Sequence, residues 1–428
     1  MTPMYRSSPR SRGDPHAALT GFFPPVRQWF AEAFDAPSPA QEMAWPAIRR
    51  GDNTLLLAPT GSGKTLAAFL CAIDDLCRRG TDGDLADGVQ VLYISPLKAL
   101  GNDIHRNLTV PLREIRERSG AGLSEIRTAV RTGDTPQSER AQMVRTPPHI
   151  LITTPESLYL LLGSKRMRSH LQTVRTVIVD EVHALCDSKR GVHLSVSLEQ
   201  LAVRTDAPFQ RIGCSATLAP LDEIARSLVG RDADGAERPC TLVDAGTRKG
   251  FDVQAVAPLP DFFQTTGSAL WASACELLAK EIAAHDTTLV FCNSRHKAER
   301  TALQLTEAVG DASRVGVHHG SMSREVRLET EDALKAGELD AMVATASLEL
   351  GIDIGSVDLV YQLESPKSVA TGLQRIGRAG HLLDEVSKGR VLIFERDELL
   401  EAAVVCRGML DGKIDAIHLP RNCLDVLA

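Results

Sequence analysis

The sequence contains no uninterrupted apolar stretch near the roughly 20 residues that cross a bilayer. Its first segment, Met1 to Asp14, is rich in Ser, Arg and Pro and has no apolar core of a secretory signal. That segment reads as a disordered lead-in whose arginines could brush a polyanion. Nine cysteines are scattered without a Cys-x-x-Cys pair. This argues against a zinc site or a disulfide framework and fits reduced thiols in a cytoplasmic protein. There is no excess of basic charge either. A net charge of −7 excludes a chain that is basic throughout, yet leaves room for a local basic groove. No short-period repeat is evident.

What is present is an alternation. Short β-branched runs recur, each followed by Gly, Ser or Pro and then a helical stretch: 89–94, 150–153, 174–179, 287–291, 341–344, 357–361 and 390–394. Such alternation predicts parallel α/β sheets buried on both faces. At 428 residues the chain exceeds the roughly 250–300 residues of a single core, so two domains are expected. Residues 230–260 break the rhythm with a Gly/Asp turn cluster and with Pro258 and Pro260, and they predict an irregular connection with a hinge near 240–250.

Pro59 to Thr65 reads Pro-Thr-Gly-Ser-Gly-Lys-Thr, straight after the apolar run 54–58. A strand that ends in a glycine-rich turn and opens a helix with Lys-Thr forms a phosphate cradle. Backbone N–H groups of Thr60, Gly61, Ser62 and Gly63 and the helix N-terminus would point at the phosphates. Lys64 adds a mobile charge, and the Thr65 hydroxyl can ligate magnesium. A flexible Gly-Ser turn is the bland alternative. Asp180 and Glu181 follow the apolar run 176–179, where open α/β sheets bind ligands. Asp180 would hold the metal and Glu181 would activate the attacking water; a polar strand end capping the next helix is the alternative. Gln41 carries the donor and acceptor that match an adenine edge. Ser215-Ala216-Thr217 could hydrogen-bond His183 or the carboxylates.

In the second half, Gln374 to His381 places Arg375 and Arg378 three apart, on one helical face. A guanidinium there can neutralise charge on a transferring phosphoryl group. Loops at 95–100, 131–134, 153–158, 293–295, 318–321 and 345–347 carry hydroxyls, helix starts and isolated cations that bind phosphate without reading bases, or simply cap helices. His318-His319 lacks matching ligand spacing and reads as structural.

Together these motifs, in this order, resemble superfamily 2 DEAD/DEAH-box helicases. Ser95 to Leu100, Lys189 to Leu194, Ser347 to Asp353 and Gly377 to His381 resemble the large helicase-related (Lhr) group more narrowly. The resemblance implies two tandem RecA-like P-loop domains with parallel sheets and ATP with Mg2+ bound in the cleft between them. Residues 1–20 would be lead-in, 21–240 the first domain, 241–410 the second, and 411–428 the start of a winged-helix region. It implies ATPase activity stimulated by single-stranded DNA, 3′-to-5′ translocation, and unwinding of DNA or RNA–DNA hybrid duplexes, with a role in DNA repair. It assigns ATP contacts to Gln41, residues 60–65, Asp353, Arg375, Arg378 and His381, and nucleic-acid contacts to Lys98, Thr154, Arg295 and Thr345. His381 stands where many members have Arg. An RNA-remodelling ATPase and an ATP-gated clamp that does not unwind remain the rival expectations.

Overall fold

A computed structural model describes residues 4–6, 16–59, 61–216, 220–246, 250–261, 266–310, 314–349, 355–380 and 385–427. Two compact units result. The first comprises Met1–Ala58, Ser62–Gly246 and Ala416–Ala428; the second comprises Pro59–Gly61 and Thr247–Asp415. Each is built on one sheet whose strands all pair in parallel.

The sheet of the first unit has eight strands in the spatial order Met4–Arg6, Thr241–Asp244, Thr54–Leu57, Gln210–Ser215, Thr176–Val179, Val91–Ile94, Ile150–Thr153, Thr128–Arg131. The central strands are buried throughout because helices cover both faces. Leu56, Tyr93, Ile152, Ile178 and Ile212 point into one apolar layer. Leu55, Leu57, Leu92, Leu151, Val177 and Val179 point into the other. Alternate residues of one strand thus serve opposite layers, which fixes register strongly.

The sheet of the second unit has six strands: Val315–His318, Ala341–Ala344, Thr288–Phe291, Leu359–Leu363, Ser387–Leu392, Phe251–Val256. Val290, Val343, Leu359, Tyr361, Leu363 and Leu392 form the centre of its core, with Ala298, Ala302 and Leu305 from the helix Arg295–Val309 packed over them.

Two expectations need correction. Within the predicted lead-in, Met4–Arg6 is a strand paired with Leu242–Asp244, which satisfies its backbone, and Leu19 is fully buried in the core. The stretch 230–260, expected to be irregular, supplies one strand to each sheet. Thr241–Asp244 lies beside Thr54–Leu57, and Phe251–Val256 forms the edge of the second sheet. The two prolines come just after that edge strand, where they cost no ladder bond. Farther on, Ile417 and Leu419 pack on the second apolar layer of the first unit, and Asp425 pairs with Lys189 at 2.6 Å.

Candidate active site

The order of strands sorts the motifs along one edge of the first sheet. Thr54–Leu57, Gln210–Ser215 and Thr176–Val179 are neighbours, so the cradle, Ser215 and the Asp180-Glu181 pair emerge side by side at their C-terminal ends. The next strands, Val91–Ile94, Ile150–Thr153 and Thr128–Arg131, deliver the loops at 95–97, 154 and 132–135.

Gly61 and Gly63 both take left-handed backbone (φ 78 each), which lets the turn fold back over the start of helix Lys64–Asp82. No side chain caps that helix start, so its first N–H groups face the turn. A Cβ on Gly63 would stand 2.6 Å from Gln41 Nε2. Gln41 is bonded to Ser38 and to Gly63 of the cradle. Its Oε1 accepts from Ser38 N–H at 2.9 Å, Ser38 Oγ accepts from Gln41 N–H at 3.3 Å, and Gln41 Nε2 reaches Gly63 O at 3.5 Å. Ser38 Oγ also donates to Ser62 O at 2.6 Å. The amide expected to read adenine is here held in a capping box that clamps the cradle.

The Asp180 carboxylate is 2% exposed and gathers three donors. Thr65 Oγ1 donates to Oδ2 at 3.2 Å, the Tyr93 hydroxyl donates to the same oxygen, and Glu181 N–H donates to Oδ1 at 2.9 Å. Burial and the adjacent Glu181 push the Asp180 carboxyl up to about 6, against the opposing pull of Tyr93 and Lys64. Glu181 itself sits in left-handed backbone (φ 46), uncommon for a residue with a side chain and typical of strain held at a functional turn. Its Oε2 lies 3.4 Å from His183 Nδ1. The same nitrogen accepts from Ala216 N–H at 3.2 Å and meets Ser215 Oγ at 3.3 Å, which assigns the Nε2–H tautomer to the ring. Ser215 and Ala216 therefore steady His183, which borders Glu181. Thr217 lies outside the described residues.

Thr65 and Asp180 fit a magnesium ion. A hydroxyl and a carboxylate lie together at a helix start, and the carboxylate is deep enough that its charge calls for a cation. Tyr93 was not anticipated from the sequence. A phenol inside an aliphatic strand needs a polar partner when buried, and that requirement was the available signal. It stacks on Phe69 at 4.9 Å.

In the second unit, helix Val369–Ile376 ends before Arg378, so the two arginines do not share a helical face. Arg378 lies in the following turn, where its Nη2 donates to Glu349 O at 3.0 Å. Arg375 is buried, and its guanidinium is engaged by Glu349, Asn293 and Gln362. These partners hold the cation within its own unit. Thr60, Asp353 and His381 lie outside the described residues.

Strands Val315–His318, Ala341–Ala344 and Thr288–Phe291 are neighbours, so the loops holding Ser321, Thr345 and Arg295 also share one edge. Arg295 donates to Ser321 Oγ, and Thr345 precedes the short turn Ala346–Leu348. Thr154 caps helix Pro155–Gly163 by accepting from Ser157 N–H at 3.4 Å. Lys98 is the first residue of helix Lys98–Ser119. His318 bonds Ser347 and Glu331 at 2.8 and 2.9 Å, and His319 bonds Glu299 at 3.0 Å. Both rings are thus occupied by protein partners. Among the described residues no cluster of metal-binding side chains stands out.

Two family descriptions match the chain: DEAD/DEAH box helicase over residues 38–224 and helicase conserved C-terminal domain over residues 271–383. The ATP-dependent helicase Lhr-Core of Methanothermobacter thermautotrophicus is 50% identical over 97% of this chain and 48% of its own length. The chain belongs to the DEAD/DEAH box helicases, in the Lhr group. Its core also resembles the Lhr helicase/probable uracil glycosylase of Mycolicibacterium smegmatis, 46% identical over 94% of this chain and 28% of the relative. Among solved structures, Mycobacterium smegmatis helicase Lhr bound to ssDNA and AMP-PNP superposes with a TM-score of 0.87 at 48% identity, covering 97% of this chain and 53% of that one. The DEAD-box helicase Mss116 shares the fold, with a TM-score of 0.78 at 19% identity, covering 100% of this chain and 84% of that one. The two parallel-sheet units are thus RecA-like helicase domains. This helicase core spans about half the length of the Lhr-Core relatives it matches.

Proposed function

We propose that this chain is the ATP-hydrolysing motor core of a DNA helicase. It would move 3′ to 5′ along single-stranded DNA in the cytoplasm and separate DNA or RNA–DNA duplexes during repair. The observation that carries the reading is the Thr65–Asp180–Glu181 constellation at the uncapped start of helix Lys64–Asp82. Backbone N–H groups of residues 60–63 and Lys64 would hold the triphosphate, with Thr65 and Asp180 holding Mg2+. That ion, when bound, neutralises phosphate charge. Glu181, which borders His183, would orient the attacking water and take its proton. Arg378, together with Asp353 and His381, would complete the site from the second unit. It would stabilise charge on the transferring group, so that hydrolysis tracks closure of the two units. Gln41 would release part of its capping box to meet adenine. Lys98, Thr154, Arg295 and Thr345 would line the strand of DNA, and the likeness to an Lhr helicase solved with ssDNA supports that placement.

The test is ATP turnover with single-stranded DNA, RNA and RNA–DNA hybrid, beside strand displacement. Stimulation by DNA with displacement supports the proposal. Stimulation by RNA alone favours the remodelling ATPase, and stimulated turnover that displaces nothing favours the clamp.

A further inference from the structure

Arg375 is buried in the second unit and engaged by several protein partners at once. Nη1 donates to Asn293 Oδ1 at 2.9 Å and to Gln362 Oε1 at 2.7 Å. Nε donates to Glu349 Oε2 at 3.1 Å, and the guanidinium stands 5.5 Å from the Phe291 ring centroid. Gln362 Nε2 in turn donates to Asn293 Oδ1 at 3.3 Å, and Asn293 Nδ2 to Ser365 O at 3.0 Å.

Gln362 lies on strand Leu359–Leu363, while Asn293 and Glu349 lie in the segments that follow the neighbouring strands Thr288–Phe291 and Ala341–Ala344, each with proposed work to do. Asn293 immediately precedes Ser294, whose hydroxyl caps the helix that starts with Arg295. Glu349 closes the turn that starts at Thr345, and its carbonyl is the acceptor for Arg378. One guanidinium thus ties the Arg295 loop, the Thr345 turn and the residue that holds Arg378. A planar fork accepts few alternative arrangements, and a buried charge deprived of acceptors is costly, so these three points should shift together.

We propose that Arg375 is a positioning residue that couples DNA binding at the Arg295 and Thr345 loops to the placement of Arg378. The inference rests on the function proposed above. It places Arg375 between the two ligands and in contact with neither.

The experiment compares wild type, Gln362→Met and Arg375→Lys. Gln362→Met removes one acceptor at nearly constant volume, and Arg375→Lys keeps the charge but loses the fork. Each is measured for AMP-PNP affinity and for ATP turnover titrated with a single-stranded oligodeoxynucleotide; thermal melts confirm folding. Coupling of ordinary strength predicts that the DNA-dependent rise in turnover falls about tenfold while AMP-PNP affinity stays within about twofold. If Arg375→Lys fails to fold, Gln362→Met decides. Unchanged DNA stimulation in a folded Gln362→Met would overturn the coupling alone. So would a loss of AMP-PNP affinity by the same factor as the loss of stimulation, because Arg375 would then act at the nucleotide. A wild type that DNA does not stimulate would overturn the proposed function, and this inference with it.

Discussion

Asp180→Asn should stabilise the protein at neutral pH while abolishing its activity. The folded chain raises the Asp180 carboxyl from 3.8 to about 6, so the native state holds that proton more tightly than the unfolded chain does. Stability from this group is therefore complete below pH 3.8 and drains away as pH rises through 6. The full loss is about 3 kcal/mol, reached by pH 8, and about half of it has accrued by pH 5. Asparagine escapes that loss but presents one acceptor oxygen to three donors, from Thr65, Tyr93 and the Glu181 backbone. The unsatisfied donor costs about 1 kcal/mol. The variant should thus exceed wild type by about 2 kcal/mol at pH 8, or roughly 4–8 °C in melting temperature for a unit of this size. Its advantage should widen from pH 5 to pH 8. Melts followed by Trp29 and Trp45, both in the first unit, measure this. With Mg2+ and AMP-PNP the order should reverse, because only the carboxylate gains a cation. A variant less stable than wild type at pH 8, with a gap that does not change with pH, would mean that folding does not raise the Asp180 carboxyl.

Gly63→Ala should weaken AMP-PNP binding measurably, since a Cβ would meet Gln41 Nε2 at 2.6 Å and left-handed backbone costs a further ~1–2 kcal/mol; calorimetry showing wild-type affinity would contradict this. At Gly191 the added Cβ would stand 2.2 Å from Leu185 O, a backbone atom that cannot swing away, so Gly191→Ala should lower stability by about 1–3 kcal/mol in chemical unfolding. Thr154→Val removes the cap on helix Pro155–Gly163 and should cost about 1 kcal/mol; if Thr154 also touches DNA, ATPase titration will require more oligonucleotide for the same stimulation. Tyr93→Phe deletes a donor to Asp180, and the wild-type fall of stability with rising pH should become steeper.

The sequence disclosed those features whose physics is local. The cradle was legible because left-handed glycines and Lys-Thr at a helix start allow few other uses. Ile150–Thr153 and Ala341–Ala344 were read to the residue because unbroken apolar runs between turns leave no second period to weigh. Features decided across the chain were hidden. Phe251–Val256 is an edge strand beside two prolines, and only its neighbour Ser387–Leu392 makes it a strand. Arg375 and Arg378 look equivalent in sequence, but Gly377 ends the helix between them, and Asn293 and Gln362 claim Arg375 from 82 and 13 residues away. Gln41 likewise matched an adenine edge in chemistry, while its clamp on Gly63 depended on how two distant turns meet.

Arg378→Ala separates binding from turnover, because Arg378 of the second unit would act on a triphosphate held at Lys64. ATP turnover with saturating single-stranded DNA should fall by about 10³-fold, the order expected for loss of an arginine finger, while AMP-PNP still binds. Turnover at the wild-type rate in that variant would mean that Arg378 does not act on the transferring phosphoryl group.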